Sequence, residues 1–423
     1  MAAGILFGVL FLMLFLGVPI AICLGIASAV TMVVTGNVQY LAAVPTRMFT
    51  QLDSFTLMAV PFFILAGNIM AEGGISARLI GFLELLLKRL PGRLACISVV
   101  GSGFFGAISG SNPATVAAIG GICAPRMIQK GYPPEKAAAI AASSGTLGVV
   151  IPPSIPMVTY AVTAGVSVVS MFAGGWIPGI MLILGLCIAN AIMCREYDSA
   201  DTTKYPPREY LIRFKDAILA LLMPFIILGG IYAGIFTPTE SASVACIYAL
   251  IVSFFVYREM DLKKLYKILV DSCVSSAVVL FVVSMSAPFA WFMTSENIPT
   301  MISTAVMSLF NNKYIILLVM NLLLLFLGCF LETQSIILLV TPILLPMASY
   351  LGISEIALGL IIIVNTSIGM ITPPMAVNLF VATGICKTTI GAVSKKIVPY
   401  LLVEFGILLI YTYVPVIFGI SFG

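Results

Sequence analysis

No histidine occurs in this 423-residue chain. Its absence removes the base of Ser-His-Asp chemistry and the commonest ligand of zinc and haem, so the usual hydrolytic and metalloenzyme mechanisms lack a starting group. Charge is also scarce, since Asp, Glu, Lys and Arg make up 9% of the residues against 61% hydrophobic. Nine cysteines are scattered singly, at Cys23, Cys96, Cys123, Cys187, Cys194, Cys246, Cys273, Cys329 and Cys386. Without a Cys-x-x-Cys pair they fit small apolar packing residues rather than a metal cluster or a disulfide framework. No apolar segment carries the long polar stripe that would line a channel, and no base stands ready for an intramembrane enzyme. The reading is therefore that the protein is not an enzyme and has no cofactor.

What remains is apolar sequence in long blocks, with a mean hydropathy of +1.16. Blocks of about 20 residues match the helix length that crosses roughly 30 Å of hydrocarbon, so an all-α polytopic membrane protein is expected, with the lipid bilayer as its first partner. Residues 4–34 are too long for a signal peptide and lack a small-residue cleavage site, so they are expected to form a helix that stays in the mature protein. Five groups, within 78–93, 126–136, 195–215, 258–267 and 387–396, contain 19 of the 21 Lys and Arg, leaving Arg47 and Lys313. The net charge of +4 gives no sign of nucleic acid, because loop cations have a topological explanation. Placing all five groups in the cytoplasm predicts a multi-pass bacterial inner-membrane protein with a cytoplasmic N-terminus and a periplasmic C-terminus.

Two double prolines interrupt apolar helices, Pro152-Pro153 after Gly148 and Pro373-Pro374 after Gly369, and each pair of equivalents is 221 positions apart. The same offset relates Pro125 to Pro346, Gly131 to Gly352, Ala161 to Ala382 and Pro178 to Pro399. Proline removes a helix hydrogen bond, and the freed carbonyls cannot face lipid, so each break is expected to line a polar site. Ahead of each break lies a segment that must return to its own side, about 94–125 and 314–350, and both are predicted to be re-entrant hairpins. Residues 1–195 form a first repeat with a broken helix at about 135–165. Residues 196–236 are a cytoplasmic loop and linking helix, and 237–423 form a second repeat with a broken helix at about 354–386. One extra crossing between the copies inverts the second, and such inverted repeats are the mark of secondary transporters. The glycines of the first hairpin, Gly101, Gly103, Gly106, Gly120 and Gly121, fit close helix packing.

The chemistry available at such breaks is coordination. Unwound carbonyls and hydroxyls can replace the water shell of Na⁺, and half-helix N-termini attract an anion. One predicted Na⁺ site combines Ser109, Ser111 and Asn112 with Gly145 and Gly148; the other combines Thr333, Gln334 and Ser335 with Thr366, Gly369 and Thr372. Substrate contacts are expected from Ser109, Ser154, Pro153, Pro374 and Glu332, with the Ser109 and Ser154 hydroxyls facing one cavity. Glu332 is an acid at a hairpin tip, and an acid at membrane depth is usually functional. Neither Lys nor Arg lies at a tip or a break.

The run 234–242, Gly-Ile-Phe-Thr-Pro-Thr-Glu-Ser-Ala, together with Pro91-Gly92-Arg93, Ile108-Ser109-Gly110-Ser111, Ile151-Pro152-Pro153-Ser154 and Ile371-Thr372-Pro373-Pro374, resembles the large membrane subunit of tripartite ATP-independent periplasmic (TRAP) transporters. The resemblance covers nearly the whole chain in order. It implies a Na⁺-coupled importer of organic acid anions that works by an elevator motion. It also implies two protein partners, a small four-helix membrane subunit and a soluble extracytoplasmic substrate-binding protein. The substrate stays open among C4-dicarboxylates, sialic acid and other sugar acids, and a single-component anion transporter of the same superfamily, coupled to Na⁺ or H⁺, is the alternative. The chain departs from the family pattern at Asn112-Pro113, at Glu332 where Asp is common, and at Ala376 where Gly is usual.

Overall fold

The computed structural model describes residues 2–198, 207–310, 312–373 and 376–418, and every regular element among them is a helix. After α1 (Ala2–Phe15) and α2 (Ile20–Val34), α3 (Ala43–Leu52) and α4 (Ala59–Glu72) follow as a bent pair, and then α5 (Ile75–Leu86). A hairpin comes next: α6 (Arg93–Ser109) leads to a tip at Gly110 and Ser111, and α7 (Asn112–Thr115) continues through a π-helical turn into α8 (Gly121–Gln129). The first broken helix consists of α9 (Pro134–Ser144) and α10 (Leu147–Val150), then α11 (Ile155–Ala164) after a bend of 41°. Four long helices follow, α12 (Val168–Met193), α13 (Pro207–Tyr232), α14 (Pro238–Ile251) and α15 (Leu262–Ser295). The short α16 (Ile298–Leu309) leads to a second hairpin of α17 (Lys313–Gly328) and α18 (Thr333–Leu344), which ends in α19 (Ala348–Leu351). The second break lies between α20 (Glu355–Gly369) and α21 (Val377–Cys386), and α22 (Ile390–Phe418) closes the chain.

Local chemistry sets these boundaries. Thr237 and Glu240 form a reciprocal capping box at the start of α14, with Thr237 N–H donating to Glu240 at 2.8 Å and Glu240 N–H to the Thr237 hydroxyl at 3.2 Å. Asp261 accepts from Lys264 N–H at 2.7 Å to start α15, and Ser354 accepts from Ala357 N–H at 3.1 Å to start α20. Four helices among the described residues are individually long and apolar enough to cross a membrane, or up to 6 if each bent pair is one span. Their outer faces are apolar too: Leu184, Ile188 and Ile192 of α12, one turn apart, are all exposed.

The opening apolar run is not one span. Gly17, at φ +78°, ends α1, and Pro19 stands at the start of α2. Phe7 meets the Phe289 ring edge-on at 6.3 Å, and a Cβ on Gly25 would lie 3.0 Å from the Met285 sulfur, one turn away on α15. Positions equidistant from the turn thus lie at one level, so α1 and α2 run antiparallel. With 14 and 15 residues, each is about 21–23 Å long, short of a full crossing.

This hairpin also corrects the expected side of the N-terminus. Asn37, just past α2, donates to Glu296 at 3.1 Å, and Tyr40 and Arg47 pack on Trp291 at 5.1 and 5.0 Å. All of this lies at the C-terminal end of α15. The other end of α15 carries the basic groups, where Lys264 pairs with Glu72 at 3.4 Å and Arg78 with Glu259 at 2.7 Å. Arg126 and Arg213 share Glu84 at the same end. The amino-terminal hairpin therefore opens away from the basic end, because Gly17-Val18-Pro19 turns the chain back where an uninterrupted helix would have crossed.

The arms of the second hairpin pack on the second broken helix through glycines. A Cβ on Gly369 would overlap the Gly328 backbone, and one on Gly328 would lie 2.9 Å from the Gly369 Cα. Neither backbone has a flexible side-chain end that could yield. Gly369→Ala should therefore destabilise the folded protein by about 1–3 kcal/mol, read as a lower melting midpoint of the purified protein, whereas Gly384→Ala, with nothing within 4 Å, should leave the midpoint unchanged.

Candidate functional site

A cavity of about 390 Å³ lies where both hairpin tips meet the first break, and α4 and α15 form its opposite wall. Ser109, Gly110, Ser111 and Asn112 reach it from the first tip, Glu332, Thr333 and Gln334 from the second, Val149 and Met370 from the breaks, and Asn68 and Ser275 from the wall. Gly110 takes φ +57° so that the chain can reverse at the first tip, and a Cβ there would lie 2.9 Å from Ile155 N. The tip and the start of α11 are thus in direct backbone contact.

Asn112 holds the first tip to both breaks. Its Oδ1 accepts from Val149 N–H at 3.0 Å, and its Nδ2 donates to the Ser367 hydroxyl at 2.7 Å. Ser367 passes its own proton to the Thr146 carbonyl at 2.7 Å. Thr146 and Ser367 are separated by 221 positions, the offset of the repeat pattern, so the two breaks touch at equivalent residues. Element starts follow that spacing at 112 and 333 and at 134 and 355, and lie one residue beyond it at 155 and 377 and at 168 and 390. Gly148 lets Ser111 approach, since a Cβ there would meet the Ser111 carbonyl oxygen at 2.5 Å.

Of the first predicted cation group, Ser109, Ser111, Asn112 and Gly148 are brought together, whereas Gly145 faces Val116 and its carbonyl accepts from Gly148 N–H at 3.0 Å. Within it the Ser109 hydroxyl bonds Thr115 Oγ1 at 3.0 Å and lies near Ser111 N at 3.4 Å. The second group is assembled more loosely. Thr333 contacts the Met370 sulfur at 3.5 Å, and Gln334 is 5% exposed with its Oε1 lacking a hydrogen-bond partner among the described residues. An unpaired buried carbonyl oxygen is costly, and it is the type of ligand a hard cation takes. Ser335 is buried on α18. Thr366 and Thr372 spend their hydroxyls on their own helix, at the Ile362 and Ile368 carbonyls, both 2.9 Å away. Their hydroxyl protons are taken, which leaves the hydroxyl lone pairs and the backbone oxygens for a cation.

Ser154 departs from expectation. It is fully buried outside the cavity lining, and its hydroxyl donates to the Val149 carbonyl at 2.6 Å. The break needs that bond, because Pro152 and Pro153 have no N–H to offer the preceding carbonyls. Ser109 and Ser154 therefore do not face one cavity, and Pro153 is buried away from it as well. Pro374 lies outside the described residues.

Two groups were not singled out from the sequence. Glu404, in the middle of α22, is fully buried, with Oε1 3.2 Å from the Thr146 hydroxyl and Oε2 without a partner among the described residues. A lone acid in an apolar helix was the available signal. Asn68 of α4 donates to the Ser272 hydroxyl of α15 at 2.9 Å and lines the wall facing the tips. Single polar residues of this kind have no sequence spacing to reveal them.

Broken helices, hairpin tips meeting at their bends and a cavity there that carries a few polar groups inside an apolar helical body are the build of a membrane transporter. The profile of the tripartite ATP-independent periplasmic transporter, DctM component, matches residues 7–417, and the chain belongs to that family. It is 42% identical over 98% of its length to the isethionate TRAP transporter permease protein DctMQ of Oleidesulfovibrio alaskensis, of which it covers 65%. It is 40% identical to the C4-dicarboxylate TRAP transporter large permease protein DctM of Pseudomonas aeruginosa, over 93% of this chain and 92% of that one. These relatives are permease subunits, not enzymes. The fold resembles that of the YdaH transporter of Alcanivorax borkumensis, with a TM-score of 0.65 at 14% identity over 90% of each chain.

The two kinds of tip residue separate in a mutational test. Asn112→Ala leaves the buried Val149 N–H and Ser367 hydroxyl short of partners and should cost about 2–4 kcal/mol of stability by melting. Ser154→Ala should cost only about 1 kcal/mol, with apparent substrate affinity unchanged in an uptake assay.

Proposed function

We propose that this chain is the large membrane subunit of a Na⁺-coupled TRAP importer of an organic acid anion. A soluble extracytoplasmic binding protein delivers the anion, and a small four-helix membrane subunit completes the membrane assembly. The observation that carries the reading is the convergence of two hairpin tips and two helix breaks on one cavity, with the buried Gln334 Oε1 left as an acceptor without a partner among the described residues. Carbonyl and hydroxyl oxygens at that convergence suit Na⁺, which binds through several oxygens without needing a charged ligand. The isethionate and C4-dicarboxylate relatives support an organic acid anion as cargo.

The two halves are inverted repeats in this reading. Support comes from the Thr146–Ser367 contact at the repeat offset and from the ends at which the hairpins begin. The first starts at the basic end, where Arg93 pairs with Asp198 at 3.6 Å; the second starts near Tyr314, whose carbonyl accepts from Tyr413 OH at 2.9 Å, near the C-terminal end of α22. The basic end is cytoplasmic and the membrane is the bacterial inner membrane, by the distribution of Lys and Arg. The carboxyl end of α22 and the α1–α2 hairpin then face the periplasm. Transport is an elevator motion in which tips and breaks move as one body past the wall of α4 and α15. The bonds of Asn112 support a shared body, since they join the first tip to both breaks.

Uptake into proteoliposomes containing both membrane subunits, with the binding protein outside, should require an inward Na⁺ gradient. Gln334→Leu should raise the half-saturating Na⁺ concentration about tenfold or more, as loss of one ligand worth roughly 1.4 kcal/mol requires. Equal initial rates in Na⁺-free buffer would refute the coupling. A membrane-impermeant thiol reagent added outside intact cells should label cysteines placed at Gly36 and Lys313 and miss those at Lys130 and Lys396, in a parent with Cys273 replaced by Ser. The opposite pattern would reverse the orientation.

A further inference from the structure

The transport cavity is electronegative, which is unusual for a site that takes an anion. Among its described lining residues there is no Lys or Arg, and Glu332 is the only charged side chain. Glu332 stands at the N-cap of α18 yet makes no cap hydrogen bond. Its carboxyl is not engaged by the helix it begins and lies at the cavity surface. At the repeat offset its counterpart is Ser111, the N-cap of α7, which is neutral. The two tips therefore present different chemistry to one cavity, with hydroxyl and amide groups on Ser111 and Asn112 at one and a carboxyl group at the other.

Resting on the transporter reading above, we propose that the cargo is a monoanion that also carries a hydroxyl or ammonium donor, and that Glu332 receives this donor. The acid group of the cargo lies toward the first tip, where the Ser111 and Asn112 groups are, and its donor lies toward the second. Attraction from bound Na⁺ acts on any anion. Glu332 adds a repulsion that grows with each further negative charge, so a dianion without a donor is disfavoured. A hydrogen bond from hydroxyl or ammonium to a carboxylate recovers what a second acid group would lose.

The test uses the purified complex of both membrane subunits in saturating Na⁺, with ligand affinity read from the rise in melting midpoint. The probes are ethanesulfonate (no donor), isethionate (hydroxyl), taurine (ammonium), gluconate (several hydroxyls) and succinate (a second acid). The best donor-bearing probe should bind at least about tenfold more tightly than ethanesulfonate and succinate. Glu332→Gln should shrink that preference about tenfold, and Glu332→Asp should retain it. Succinate or ethanesulfonate binding as tightly as the best donor-bearing probe would overturn the proposal. So would an unaltered preference in Glu332→Gln, or no midpoint shift with any probe. The rise in midpoint with Na⁺ alone reports separately on the transporter reading, which fails if Na⁺ and K⁺ act alike.

Discussion

Everything at the centre of this molecule depends on a backbone accounting problem. Two helices stop and restart inside an apolar body, and each stop frees N–H and carbonyl groups that have no water to bond. The first break is closed by side chains: Asn112 takes the Val149 N–H and Ser154 supplies a proton to the Val149 carbonyl. The second is closed by its own chain and by Asn378, whose N–H donates to the Met370 carbonyl at 3.1 Å. Glycines at 148 and 369 let the hairpins come near enough for this to work.

The division of labour among the polar residues follows from the same accounting. A hydroxyl whose proton is held by a carbonyl cannot donate to an anion, which is why Ser154, Thr366 and Thr372, although they stand beside the site, can offer a ligand only their oxygen lone pairs. Among the described residues around the breaks, Gln334, Glu332, Glu404, Asn365 and Asn378 keep a side-chain atom or a cap position unused. Their positions differ. The first two are at the cavity, whereas Glu404 contacts the first break from behind through Thr146.

Much of the architecture was legible in the sequence because proline and glycine act locally. Pro152-Pro153 cannot sit inside a continuous helix, and the recurrence of the motif at Thr372-Pro373 is visible without a structure. The turn at Gly17-Val18-Pro19 uses the same residues, yet it is embedded in one unbroken apolar run whose length alone suggested a span. Its effect on the side of the N-terminus emerged only from contacts to α15. Residue roles at the site were less legible. Whether a serine bonds a ligand or a carbonyl five positions away depends on distances of a few tenths of an ångström, and a single Glu404 or Asn68 has no periodicity to mark it.

The contact between Thr146 and Ser367 has a consequence for how the two halves behave in time. A hydrogen bond of 2.7 Å joins the bends, Asn378 Nδ2 donates across to the Ala142 carbonyl at 3.4 Å, and Asn112 adds a strut from the first tip to Ser367. Whatever stiffens one bend stiffens the other, so in the proposed two-ion reading part of the entropy lost when the first ion binds is already spent for the second, and occupancy of the two positions would be cooperative without any change of shape. The bond is also one-directional: Ser367 gives its proton to Thr146, while Thr146 turns its own toward Ser143 and Glu404. Two halves alike in outline are thus inequivalent at their junction, which gives filling a preferred order.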